Sequence, residues 1–171
     1  GQVNFKNISE FVGGTGNDAF AVSKGDATAY DFKGGDGNDQ FKVGNGVVTI
    51  DGGTGSNAIS YANAVQAVTV ILNQTNGTSI GADSGSVTFS QLSIFEGGSG
   101  ADQFKFVNSD PSAYIVDGGQ GADTLDYSAS DKAMTLQLNG SSNSTATGSV
   151  ANSYGTTTFT NIEKIVTSGL G

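Results

Sequence analysis

Residues 34–50 read GGDGNDQFKVGNGVVTI, and the fold follows from how that stretch is divided. It opens on a glycine-rich turn, passes through QFKV (40–43), turns again at GNG (44–46) and returns through VVTI (47–50). Phe41 and Val43 alternate with Gln40 and Lys42, the period-two pattern of a strand with one buried face. The same order of turn, strand, turn, strand recurs around it. AFAV (19–22) and QFKF (103–106) repeat the first strand, and AYDF (29–32) and AYIV (113–116) the second. SKGD (23–26) and NSDPS (108–112) repeat the turn between them. Strands stacked about 4.8 Å apart would place like residues in ladders. The spacing predicts one inner ladder of Phe20, Phe41, Ile59, Phe104 and Leu125, and another of Phe32, Ile50 and Val116. VTVILN (68–73) and MTLQLN (134–139) align with each other and read as further strands. Helical periodicity is absent, and so much Gly, Ser and Thr would make helix costly. The expected class is all-β, a parallel β-solenoid with coils of about 18–21 residues.

The glycine blocks begin at Gly13, Gly34, Gly52, Gly97 and Gly118. Within the first three and within the last two the interval is one coil, and between the two groups it is more than twice as long. A longer repeat encloses them. Gly1-Val3-Phe5-Asn7-Ile8 returns as Gly85-Val87-Phe89-Gln91-Leu92 and again as Gly155-Thr157-Phe159-Asn161-Ile162, with the second interval shorter than the first. The chain therefore divides into a first repeat module over 1–84, a second over 85–154 and the opening of a third over 155–171. It reads as a piece of a longer protein. The run from Gly13 to Gly52 is nearly twice as long as that from Gly97 to Gly118. A globular domain rarely absorbs an insertion of that size without a new element. A solenoid absorbs it as one extra coil, because each coil touches only its neighbours.

Composition narrows the function. There are 27 glycines and one proline in 171 residues, ten Phe and five Tyr spread along the chain, and charged residues at 13%. The aromatics argue against a disordered acidic tail and for a thin core that runs everywhere. Sixteen carboxylates against seven lysines leave a net charge of −9, so no basic face exists for nucleic acid and the natural charged partner is a cation. His and Cys are both absent, which removes Ser-His-Asp and Cys-His nucleophiles, thiol redox chemistry and most zinc or haem ligation. No apolar run approaches a membrane span. The chain is expected not to be an enzyme.

Four blocks, GGTGNDAFA (13–21), GGDGNDQFK (34–42), GGSGADQFK (97–105) and GGQGADTLD (118–126), fit G-G-x-G-x-D-x-U-x, where U is a large apolar residue. GGTGSNAIS (52–60) fits except that Asn57 stands at the aspartate position. In this pattern the chain resembles the hemolysin-type (RTX) calcium-binding repeat family. The resemblance implies a right-handed parallel β-roll that folds on binding Ca2+. It assigns metal ligation to Gly13, Thr15, Asn17 and Asp18; to Gly34, Asp36, Asn38 and Asp39; to Asn57; to Gly97, Ser99, Ala101 and Asp102; and to Gly118, Gln120, Ala122 and Asp123. The chemistry is coherent: glycines reach φ > 0 and aim carbonyls inward, aspartates add hard oxygens, and calcium takes six to eight of them. Asp18 would stack on Asp39, Asp39 on Asn57, and Asp102 on Asp123, with Asp51 and Asp117 flanking. The middle site, lacking a charge at Asn57, should be weaker.

In one respect the chain departs from the family. Typical members run nonapeptides back to back, whereas here the motif takes one turn per coil, so calcium is expected along one edge only. The bland alternative is that the blocks are tight turns without metal. Tyr61 and Tyr127 occupy equivalent places and read as half-buried core. Asp123 and Asp126 fall inside the motif, which disfavours a glycosidase pair. GGDGND lacks the spacing and terminal Glu of an EF-hand, and no block ends in G-K-[ST] to cradle phosphate.

DGG-x-G-x-D-T-L-D-Y-S (117–128), the strand ending in L-N and F-x-N-I-E (159–163) are similar to very large bacterial surface proteins with such repeats. The resemblance implies a calcium-rigidified spacer or adhesive stalk, secreted or at the bacterial cell surface. Its partners would be calcium, neighbouring repeat modules and a host or surface glycan or protein. The alternatives are a glycan- or ice-binding module, or an accessory module of a polysaccharide-processing enzyme.

Overall fold

The computed structural model describes residues 8–74, 76–107, 113–140, 146–152 and 155–168. Their regular structure is entirely β, with no helix among the described residues. The expected turn at 108–112, the first copy of the long repeat up to Asn7 and the last residues, 169–171, lie outside them.

Two mixed, mostly parallel sheets hold the strands. The nine-stranded sheet runs β1 (Glu10–Thr15), β3 (Tyr30–Asp36), β5 (Val47–Asp51), β9 (Gly85–Ser90), β8 (Asn76–Gly81), β7 (Val68–Asn73), β11 (Gln103–Phe106), β13 (Thr124–Tyr127), β17 (Lys164–Thr167). The eight-stranded sheet runs β2 (Ala19–Ala21), β4 (Gln40–Lys42), β6 (Ala58–Ser60), β10 (Ile94–Glu96), β12 (Ile115–Asp117), β16 (Thr156–Ile162), β15 (Ala146–Ala151), β14 (Thr135–Leu138). Neither closes into a barrel. Short turns cannot join parallel neighbours of one sheet, because the chain must first travel back. Here the return strand is itself paired in the opposite sheet, so β1 to β7 alternate between the two.

The greater length of the first repeat takes the form of one further strand in each sheet, in parallel register with its neighbours: Phe32 lies opposite Ile50, and Phe41 opposite Ile59. The inner faces of the sheets meet through rings, Phe20 against Phe32 at 5.1 Å between centroids and Phe89 against Phe95 at 5.4 Å. One hydrophobic cluster results, and it passes without a break through residue 85, where β9 lies beside β5. Tyr61 and Tyr127 are not half-buried as expected but fully inside, at 0% and 4% exposed. Ser79 on β8, within the nine-stranded sheet, accepts the Tyr61 hydroxyl at 2.7 Å, and burial pushes that phenol well above its ordinary pKa.

Two antiparallel meanders, β7-β8-β9 and β14-β15-β16, interrupt the parallel order. Their middle strands are absent from the sequence reading, because NGTSIG and ATGSVA look like loop. The small residues serve the packing. Gly77 lies opposite Phe89 and Gly148 opposite Phe159; a Cβ on Gly77 would run into the Ile71 carbonyl and the Phe89 ring, and one on Gly148 into the Gln137 carbonyl, with the Phe159 ring next to it.

Each meander keeps three consecutive strands in one sheet, so the number of crossings from one long repeat to the next is odd. β1 is in the nine-stranded sheet, its counterpart β10 in the eight-stranded one, and β17 in the nine-stranded one again. This corrects the expected ladders. Phe20, Phe41 and Ile59 continue into Phe95, Val116 and Phe159. Phe104 and Leu125 instead stand with Val70 and Ile165 in the other sheet. Phe32 and Ile50 continue into Phe89 rather than Val116.

Candidate functional site: two ladders of acidic turns

The block 34–39 shows how a turn is built. Its first residues still belong to β3, because successive blocks pair backbone to backbone, Gly14 opposite Gly35 and Thr15 opposite Asp36. The chain then turns through Gly35 and Gly37, at φ of 103° and 138°, a region that L side chains rarely enter. Asp39 folds back against Gly34, where a Cβ would collide with its carboxylate and with the Gly52 carbonyl.

The carboxylates link neighbouring turns. Asp18 N–H donates to Asp39 Oδ1 and Asp39 N–H to Asn57 Oδ1, both at 2.8 Å. One residue earlier a second ladder runs the opposite way: Asn38 N–H donates to Asn17 Oδ1 and Ser56 N–H to Asn38 Oδ1, again at 2.8 Å. In the second group Asp102 N–H donates to Asp123 Oδ1 at 2.7 Å, and Asp123 N–H to Glu163 Oε2 at 2.6 Å. Asp102 also accepts from Val68 N–H at 2.7 Å and Gly98 N–H at 2.6 Å. Ala101 and Ala122 offer no side-chain oxygen, so that group has no second ladder.

The two groups do not share an edge. Turns 16–18, 37–39 and 52–57 lead from the nine-stranded to the eight-stranded sheet, whereas 97–102 and 118–123 lead back. Ser99 N–H accordingly bonds Ala64 O at 2.9 Å, in the return turn 61–67. The expectation of a single acidic edge is therefore corrected: the odd crossing number moves the motif from one edge to the other at residue 97.

The remaining proposed ligands have identifiable partners. Thr54 Oγ1 donates to Asp36 Oδ1 at 2.9 Å. Asp51 accepts from Ser90 Oγ at 3.1 Å and Gly53 N–H at 3.2 Å. Asp117 accepts from Asn161 Nδ2 at 2.8 Å and Gly119 N–H at 3.0 Å. Gln120 N–H reaches Gly98 O at 3.0 Å, so that carbonyl is already engaged. Thr15 and Gly13 stay within β1, and Gly97 and Gly118 pack against neighbouring turns, Gly97 against the Gly118 carbonyl.

Two oxygens stand apart. Asp39 Oδ2 and Asp123 Oδ2 are buried without a hydrogen-bond partner. At the equivalent place Asn57 carries an amide nitrogen, which donates to Gln91 O at 3.1 Å. An aspartate there presents an oxygen to a carbonyl, an arrangement that calls for a proton or a cation between them. The electrostatics agree. Burial pushes Asp123 up to about 7, with the charges of Asp102, Glu163 and Asp117 adding. Burial also raises Asp102, and Asp83 contributes. On Asp126 burial is outweighed by Ser128 hydrogen bonds and by Lys105 and Lys164, leaving its carboxyl below the usual range.

Among the described residues no group of three or more acidic side chains converges, so a cation here would draw on carboxylates of two turns and on backbone. Sequence reasoning missed two acids. Glu163 caps the second ladder, and only its place in F-x-N-I-E hinted at it. Asp83, in the β8–β9 hairpin, accepts Val65 N–H at 2.9 Å and Gln66 N–H at 3.3 Å, with no motif to mark it. Compared with protein families and with curated proteins, the chain matches none.

Proposed function

We propose that this chain is a calcium-binding structural repeat segment, a rigid spacer or adhesive stalk of a large secreted or surface-exposed bacterial protein. The observation that carries the reading is the pair of buried carboxylate oxygens without donors, Asp39 Oδ2 and Asp123 Oδ2, each set in a G-G-x-G-x-D turn. Asp39 with Asp18, and Asp123 with Asp102, would hold calcium together with carbonyls of adjacent turns. The ion would supply the positive charge that the stacked aspartates lack. In this reading the alternation between two sheets is a right-handed parallel β-roll with non-enzymatic, mechanical work to do. Low calcium inside the cell would leave the acidic turns repelling one another, at about 3 kcal/mol for charges roughly 5 Å apart at an effective dielectric near 20. Higher calcium outside would reverse the sign.

Equilibrium dialysis against calcium tests this. The account expects at least one ion per acidic edge, with the first lost on Asp39→Asn and the second on Asp123→Asn. No uptake by the folded chain would leave the blocks as metal-free turns. A glycan- or ice-binding face has one observation in its favour, the exposed row Thr49, Thr88, Thr78 across three adjacent strands. Asp31 and Ile71 interrupt that row on either side, so it is too short for a repeating array.

A further inference from the structure

β7 and β14 are counterparts in the two meanders, VTVILN against MTLQLN. The match extends across the sheet: Leu72 lies opposite Gly77 and Gly77 opposite Phe89, as Leu138 lies opposite Gly148 and Gly148 opposite Phe159. Their other sides differ. β7 is joined in parallel by β11, which sets Phe104 beside Val70 and Phe106 beside Leu72. Val70 and Leu72 are then 0% exposed. β14 ends its sheet, pairing with β15 alone among the described strands, and Leu136 and Leu138, which hold the places of Val70 and Leu72, are 44% and 53% exposed. Half of an apolar layer is present without the half that completes it in the first meander.

We propose that the open side of β14 is a docking edge for a parallel strand of the β11 kind, with large apolar residues at alternate positions, supplied by a further repeat of this architecture. The inference rests on the tandem-repeat reading but not on calcium. The incoming strand would place its two apolar residues beside Leu136 and Leu138, in the register of Phe104 and Phe106 on β7. Backbone hydrogen bonds would give the affinity, and the two apolar positions the selectivity. The free edge would cease to be an aggregation template.

The probe is a synthetic peptide of residues 97–107, GGSGADQFKFV, titrated into the full chain in calcium and again in chelator. The expected result is saturable binding that shifts the amides of Thr135–Leu138 and the methyls of Leu136 and Leu138. Replacing both peptide phenylalanines by serine, or Leu136→Lys with Leu138→Lys in the protein, should weaken it by about tenfold or more. Both leucines are exposed, so those variants are expected to fold. Because a short peptide forfeits entropy on ordering, a chain extended by DQFKFV after residue 171 provides the second arm, and it should bury the two leucine methyls and unfold at higher temperature. Unchanged methyl resonances in both arms would overturn the proposal. So would capture insensitive to the leucine substitutions, or self-association of the chain through β14. Failure of calcium uptake with capture intact would count against the metal reading alone.

Discussion

At residue 57 the chain contains its own control. Asn57 takes the Asp39 N–H on one atom and donates to the Gln91 carbonyl with the other, whereas Asp39 and Asp123 leave the second oxygen buried without a donor. In chelator, Asp39→Asn is expected to stabilise the chain, since the new amide can bond the Gly52 carbonyl as Asn57 bonds Gln91. Asn57→Asp is expected to cost about 1–3 kcal/mol, recovered in part when calcium is added. Chemical denaturation of both variants with and without calcium checks the pair, and a loss on Asp39→Asn in chelator would contradict the argument. The same burial gives a pH dependence. Asp123 is raised in the folded chain from an ordinary value of 3.8 to about 7. The folded state thus holds the proton more tightly. Its contribution to stability is complete below about pH 4 and is lost as pH rises through about 7. Metal-free thermal unfolding between pH 4 and 8 should show a falling midpoint, made shallower by Asp123→Asn, with Asp102, also raised by burial, supplying part of the remainder.

At the level of elements, the strands that alternate large and small residues were legible: VTVILN became β7 without a change of boundary, and QFKF became β11. β8 and β15 were not, because their glycines and serines answer to the ring across the sheet rather than to a turn. Gly77→Val is therefore expected to force Phe89 out of place and cost about 1–3 kcal/mol by overpacking. Gly140→Val, beyond β14, has φ of 85° but nothing within reach of a Cβ, so backbone strain without collision would be its only penalty. Urea denaturation of the two variants separates these effects, and equal losses would contradict the packing account. The long repeat also marked backbone that composition could not. Gln91 and Asn161 occupy the same repeat position and share left-handed φ values of 58° and 53°, costly for a side chain but placed where the turn closes on the glycine block beside it.

Across the whole molecule, what escaped the sequence was parity. Every motif was visible, yet whether two glycine blocks share an edge depends on how often the chain crosses between sheets, and that count hinges on the hidden strands β8 and β15. The result is two acidic ladders on opposite edges of one continuous core. Because the core is shared, removing a ring from its middle is expected to act on the whole: Phe95→Ala, at a residue 0% exposed, should cost about 3–5 kcal/mol in a single unfolding step.

The central claim is that the acidic turns are metal sites and not merely turns. Thermal unfolding of the chain at neutral pH in calcium and in excess chelator tests it most directly. The account predicts a large calcium-dependent rise in the midpoint, diminished by Asp39→Asn and by Asp123→Asn. An identical transition in both conditions would contradict it and leave the aspartates as hydrogen-bond ladders alone.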